Sequence, residues 1–96
     1  AFVAELDGRV VGLVHYLFHR STSRLCDVCY LQDLFTDSAS RGRGVGRALI
    51  ERVIEAAREA GSSRVYWTTQ DTNAAGRLLY DQVARHSGFI GYSREL

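Results

Sequence analysis

The chain has 96 residues, 46 % of them hydrophobic and 24 % charged, which suits one small folded domain and not two. Twelve cationic against eleven anionic side chains leave a formal charge of +1, so composition supplies no general pull on nucleic acid or an anionic membrane. No apolar run approaches the roughly 20 residues that span a bilayer. No signal peptide is visible, and with two cysteines read as free thiols the expected compartment is reducing, the cytoplasm.

The chain opens without Met, directly in an apolar run over residues 2–6, and the expectation is that an N-terminal piece precedes it. Asp7-Gly8 is a hairpin turn signal, and Arg9 to Phe18 is rich in Val, Leu and aromatics, so the first two strands form an antiparallel hairpin. His19 to Arg24 reads as a loop. Leu25 to Thr36 predicts a third strand whose alternation is broken: Tyr30, Gln32, Leu34 and Thr36 share one face, and Leu31, Asp33 and Phe35 the other. A β-bulge accounts for such a break and is frequent beside active sites. Cys26 and Cys29 form one Cys-x-x-Cys, whereas a structural zinc site takes four ligands. His15, His19 and His86 stand at no ligand spacing from them, so both are read as packing thiols and no metal is expected.

Asp37 to Arg43 is small, polar and glycine-containing, hence a loop. From about Gly44 a helix is predicted, with Val45, Leu49, Ile50, Val53, Ile54 and Ala57 on one face, and Gly61 suits its left-handed C-cap. Arg64 to Thr69 predicts a strand, Gln70 to Thr72 a turn, and Asn73 to His86 a second helix. That helix carries Ala75, Leu78, Leu79 and Val83, is weakened by Gly76 by about 1 kcal/mol relative to Ala, and ends at Gly88. Phe89 to Leu96 is expected as a closing strand. The order is β-β-β-α-β-α-β: an α/β (α+β) fold with a mixed, mostly antiparallel twisted sheet and two helices, parallel only where strands alternate with helices.

The chemistry-bearing stretch is Arg41-Gly42-Arg43-Gly44-Val45-Gly46-Arg47, between a strand and an amphipathic helix. The first helical turn offers unpaired N–H groups and the positive end of the dipole. Glycines let a phosphate approach the backbone, and the arginines add charge, so the segment reads as a pyrophosphate cradle. A Walker A loop is excluded because the chain has no Lys. A dinucleotide fingerprint fits Gly42 and Gly44 but meets Arg47 at its third glycine. A plain glycine turn with solvated arginines is the alternative.

The run Tyr30-Leu31-Gln32-Asp33-Leu34-Phe35-Thr36-Asp37, followed by Arg41-x-x-Gly44-x-Gly46-x-Ala48-Leu49, resembles the GNAT superfamily of N-acetyltransferases. The signature of that family is Arg or Gln, two residues, Gly, one residue, then Gly or Ala. Asn73, Tyr80 seven residues later, and Gly88-Phe89 resemble a second landmark. The resemblance covers the whole chain and is nearest to the polyamine- and histone-acetylating branches.

The resemblance implies a single acetyl-CoA-binding domain over residues 1–96, lacking the family's first strand and next two helices. Backbone groups of Leu34, Phe35 and Thr36 would pair with the acetyl-pantetheine arm, and a bulge near Leu34 would aim an N–H at the thioester carbonyl. Arg41, Gly42, Arg43, Gly44, Val45, Gly46 and Arg47 would hold the pyrophosphate, with Asn73 and Gly76 also at the cofactor. Tyr80 would protonate the departing thiolate. Related enzymes often carry Glu where this chain has Gln32. Gln cannot accept a proton, so Asp33, Asp37 or water would, with Asp33 placed first.

Each assignment has a plainer alternative. Tyr80 also fits as a residue packed at the core edge, Asn73 as a helix N-cap, Asp33 as a solvated charge, and Arg47 as an i,i+4 partner of Glu51. The function implied is acetyl transfer from acetyl-CoA to a small-molecule or peptide primary amine by direct attack. Asp27, Asp33, Asp37 and Asp81 are acids that would attract a cationic acceptor. A truncated, non-catalytic CoA-binding or dimerising domain is the alternative. A nucleic-acid-binding module is disfavoured by the near-neutral charge, no membrane partner is expected, and an open sheet edge implies a homodimer.

Overall fold

The computed structural model describes residues 1–21, 25–37, 44–70, 72–88 and 91–96. Six elements follow in order: β1 (Phe2–Leu6), β2 (Arg9–His19), β3 (Val28–Thr36), α1 (Val45–Glu59), β4 (Val65–Tyr66) and α2 (Ala74–Val83). The sheet order is β1-β2-β3-β4, antiparallel up to β3 and parallel between β3 and β4. This is the mixed, mostly antiparallel α+β architecture expected from the sequence.

The β1–β2 turn has positive φ at both Asp7 and Gly8, as a two-residue hairpin of primed type requires. Each antiparallel ladder carries one bulge. On β2, Ala4 pairs with Gly12 and Glu5 with Val10, so Val11 is the extra residue. On β3, His15 pairs with Asp33 and Tyr16 with Leu31, so Gln32 is the extra residue. The bulge anticipated near Leu34 therefore falls two residues earlier.

The core lies on one sheet face. Val11, Val14, Cys29 and Leu31 pack against Val45, Leu49, Ile50, Val53 and Ala57 of α1, which is the apolar stripe read from the sequence. Gly12 permits the approach. A Cβ there would lie 2.7 Å from Val45 Cγ1 and 2.9 Å from Leu49 Cδ1. At its far end α1 closes in a Schellman turn: Gly61 N–H donates to Arg58 O at 3.0 Å and Ser62 N–H to Ala57 O at 2.9 Å, with Gly61 at φ 79°.

Four expectations are corrected. β4 keeps only Val65 and Tyr66 of the predicted 64–69 strand, because past Tyr66 it leaves the β3 ladder. The two strand residues are pinned by a ring cluster: His19 Nε2 lies 2.6 Å from Tyr66 Oη, and the Tyr30 and Tyr66 rings are 4.9 Å apart. Helix α2 stops at Val83 rather than His86, since Ala84 is already extended and Gly88 takes its left-handed φ four residues later. Among the described residues of the predicted closing strand, 91–96 join no ladder. A strand needs a paired neighbour, and the adjacent β4 offers two residues. Phe89 and Ile90 lie outside the described residues. The third strand begins at Val28 instead of Leu25.

Candidate active site

Strands β3 and β4 run parallel only through Cys29–Val65 and Tyr30–Tyr66. Beyond that point they part, and a cleft of about 560 Å³ opens between them. Leu31, Gln32, Asp33 and Leu34 form one wall, Trp67, Thr68, Thr69 and Gln70 the other, Ile50 the floor, and Asn73 and Tyr80 of α2 the far side. A continuous ladder would leave no such opening. Strict alternation would also turn Gln32 and Asp33 to opposite faces, whereas across the bulge both border the cleft.

Tyr80 is half-buried, its ring 5.6 Å from that of Trp67 in an edge-to-face arrangement. Burial pushes its phenol above the ordinary value of 10.0, so the hydroxyl stays protonated throughout the neutral range. A phenol held protonated beside a cleft is equipped to donate. Asp33 is exposed and stands 3.6 Å from His15 Nδ1, its cross-strand neighbour on β2. Asp37, the second acid considered as a proton acceptor, forms an ion pair with Arg9, and its N–H donates to Val11 O at 2.7 Å. That pairing ties it to β2, away from the cleft lining.

Asn73 is the N-cap of α2. Its Oδ1 accepts from Gly76 N–H at 3.2 Å, and its Nδ2 donates to Thr69 Oγ1 at 3.0 Å. The cap and the cleft wall are therefore one network, and Gly76 acts through Asn73. At the other helix, Gly44 is the N-cap of α1 with φ 76°, and among the described residues no side chain caps it. The first ladder bond runs from Ala48 N–H to Gly44 O at 2.9 Å, so Val45, Gly46 and Arg47 present the leading N–H groups. A Cβ on Gly44 would meet nothing within 4 Å, and one on Gly46 only Leu79 Cδ2 at 3.4 Å. Among the described residues, nothing else crowds the helix start. Arg47 reaches Gln82 Oε1 at 3.5 Å and Glu51 Oε1 at 4.0 Å, the i,i+4 contact anticipated for it.

Of the expected cofactor residues, Leu34, Phe35 and Thr36 continue β3 past the bulge, with Leu34 in the cleft and Phe35 exposed. Arg41, Gly42 and Arg43 lie outside the described residues. Of the residues expected at the site, Asp33, Leu34, Asn73 and Tyr80 border one cleft. Sequence reading missed Trp67, Thr69, His15 and Gly12. Gly12 had a signal, since glycine inside a strand marks close backbone approach. His15 had none, because its partner depends on a one-residue register shift.

The fold is thus a mixed sheet splayed between its two parallel strands and packed on α1, whose N-cap is Gly44. The chain belongs to the GNAT acetyltransferase family, whose family model matches residues 1–84. It is 39 % identical over 94 residues to the D-amino-acid N-acetyltransferase of Saccharomyces cerevisiae, covering 98 % of this chain and 58 % of that protein. To the L-2,4-diaminobutyric acid acetyltransferase of Nocardia farcinica it is 33 % identical over 87 residues, covering 90 % and 43 %. The chain thus spans about half the length of these relatives. In fold it is similar to a ribosomal-protein-alanine N-acetyltransferase from Brucella melitensis, with a TM-score of 0.86, 23 % identity, and 98 % and 68 % of the two chains covered. It is also similar to an aminoglycoside N-acetyltransferase in complex with CoA, with a TM-score of 0.85, 19 % identity, and 98 % and 73 % covered. Among the described residues no helix is long and apolar enough to cross a membrane, and no group of His, Cys, Asp or Glu is arranged to hold a metal ion.

Proposed function

We propose that this chain carries the acetyl-CoA site and the reacting groups of an N-acetyltransferase that acetylates a primary amine by direct attack. The observation that carries the reading is the cleft where β3 and β4 part, bordered at once by an acid, Asp33, and a half-buried phenol, Tyr80. Acetyl-CoA fits what surrounds it. An extended pantetheine arm matches a gap between two parallel strands with unpaired edges, and a pyrophosphate matches the open glycine start of α1. When bound, acetyl-CoA supplies an activated thioester carbonyl.

The residues then divide the work. An alkyl ammonium titrates near pH 10, so only about one part in a thousand is free amine at pH 7, and Asp33 is the group at the cleft that first meets its proton. The phenol of Tyr80 supplies a proton to the departing thiolate. Asn73 holds the start of α2 against Thr69 and so sets where Tyr80 stands. The family names of the relatives, a D-amino-acid and a diaminobutyric acid acetyltransferase, favour an amino-acid amine as acceptor.

Calorimetry with acetyl-CoA tests the first half, on the native chain and on Gly44→Val. Micromolar binding is expected for the native chain. It should be lost in the variant, where a β-branched residue must take a left-handed φ and covers the open helix start. Turnover is read by mass spectrometry of products from D-phenylalanine, D-lysine and L-2,4-diaminobutyrate, with Tyr80→Phe expected to lower kcat about a hundredfold while leaving acetyl-CoA binding intact. Tight binding without product from any amine would favour the non-catalytic CoA-binding alternative.

A further inference from the structure

The bulge at Gln32 does more than widen the cleft. Without it, the β2–β3 ladder would continue in simple register and bring Gln32, not Asp33, opposite His15. With it, Asp33 borders the cleft and stands against an imidazole whose Nδ1 is 3.6 Å from Asp33 Oδ2. His15 lies on β2 beside Val14, the residue that pairs with Phe2 of β1. Its side chain is 52 % exposed, which leaves a path for a proton to reach water.

We propose that His15 acts behind Asp33 as the positioning and proton-relay residue of the acetyl-transfer reaction. This rests on the transfer reaction argued above. The chemical need is specific. A carboxylate is a weak resting acceptor for a proton held by an alkyl ammonium, whereas an imidazole is the side chain that commonly carries protons at neutral pH. A carboxylate alone attracts the ammonium but accepts its proton poorly. A carboxylate with an imidazole behind it attracts and relays.

The step balances as follows. An N–H bond of the ammonium breaks, its electron pair stays on nitrogen, and the proton passes to Asp33, through His15 Nδ1, and out to water. The nitrogen pair then forms the C–N bond to the acetyl carbon as the C–S bond breaks. The thiolate takes the Tyr80 proton, which water replaces, and the proton shed as the amide forms leaves by the Asp33–His15 route. One proton is released per acetyl group moved. The 3.6 Å separation shortens to hydrogen-bond range when the ammonium orders the carboxylate, as unliganded catalytic contacts commonly do.

The test uses the most rapidly acetylated amine among D-phenylalanine, D-lysine and L-2,4-diaminobutyrate. His15→Ala is expected to lower kcat at least about tenfold with little change in the KM of acetyl-CoA, and His15→Gln to do the same. Added imidazole should restore part of the His15→Ala rate, with amide product measured against a protein-free imidazole blank. The double variant with Asp33→Asn should be no slower than Asp33→Asn alone, since residues acting as one unit are not additive. Thermal melting checks that the exposed substitutions leave the fold intact. Three results overturn the relay alone: unchanged kcat in both variants, a loss confined to the KM of the amine, or no rescue by imidazole. A native chain that acetylates none of these amines overturns the transfer reaction itself and the relay with it.

Discussion

A Cβ at Gly76 would lie 2.9 Å from Asn73 Cγ and nearer still to Nδ2, so this glycine keeps room for the side chain three residues before it. Two effects oppose each other in Gly76→Ala. Alanine raises helix propensity by about 1 kcal/mol. The displaced Asn73 side chain loses its cap bond to the Gly76 N–H and its bond to Thr69, and a lost cap costs about 1 kcal/mol. The expected outcome is a denaturation midpoint nearly unchanged and acetyl-CoA affinity reduced several-fold, read by urea titration and calorimetry on one sample. A variant simply stabilised, with affinity intact, would mean that Asn73 keeps its bonds beside the alanine. The cysteines have a similarly local fate. Cys29 is fully buried and its thiol is pushed above the ordinary 9.0 by desolvation, while Cys26 is partly exposed. They sit as two separate thiols, one inside and one near the surface.

Among the elements, α1 is fixed by its contact with Gly12, and the consequence is measurable. Any side chain there meets Val45 Cγ1 at 2.7 Å, Leu49 Cδ1 at 2.9 Å and Phe35 O at 3.3 Å. The last is backbone and cannot rotate away. Gly12→Ala is therefore expected to destabilise by about 1–3 kcal/mol, as overpacking does, and to weaken acetyl-CoA binding because the lifted end of α1 is its glycine start. Urea unfolding and calorimetry read the two losses. An unchanged midpoint would show that α1 shifts without cost. What the sequence made legible follows the same physics. Helix α1 was readable because Val45, Leu49, Ile50, Val53 and Ala57 repeat at helical period and all five are buried. The Asp7-Gly8 turn was readable because its geometry demands those residues. Strand β4 was read too long, because Val65 to Thr69 have strand composition throughout while their pairing ends where the cleft needs it to end. The Gln32 bulge was anticipated as a broken alternation, but its position, and with it the His15–Asp33 pair, depends on inter-strand register that one strand's sequence does not encode.

Across the whole molecule the two helices are unequal. Among the described residues every member of the main core comes from the sheet or from α1, and α2 contributes no fully buried side chain. Leu79, Tyr80 and Val83 only flank the core, and Leu78 is 70 % exposed. Yet α2 carries Tyr80 and, through its cap, Asn73. A segment with few buried apolar contacts opens at lower free energy than the core it leans on. In hydrogen exchange the amides of α2 are therefore expected to exchange well before those of α1. On the proposed reading acetyl-CoA binds between the β3–β4 opening and α2, and would then stabilise only states in which that helix is docked. At about a hundred times Kd, ligand adds about 2.7 kcal/mol. That should slow α2 exchange by up to about a hundredfold, and α1 by no more than its share in the same opening. If α2 were already as protected as α1 without ligand, its docking would not depend on the cofactor, and Tyr80 would be held in place before acetyl-CoA arrives. If ligand slowed both helices equally, the chain would unfold as one unit and the site would be as stable as its core. The unequal packing argues for the first pattern, in which cofactor binding and the docking of α2 with Tyr80 are a single event.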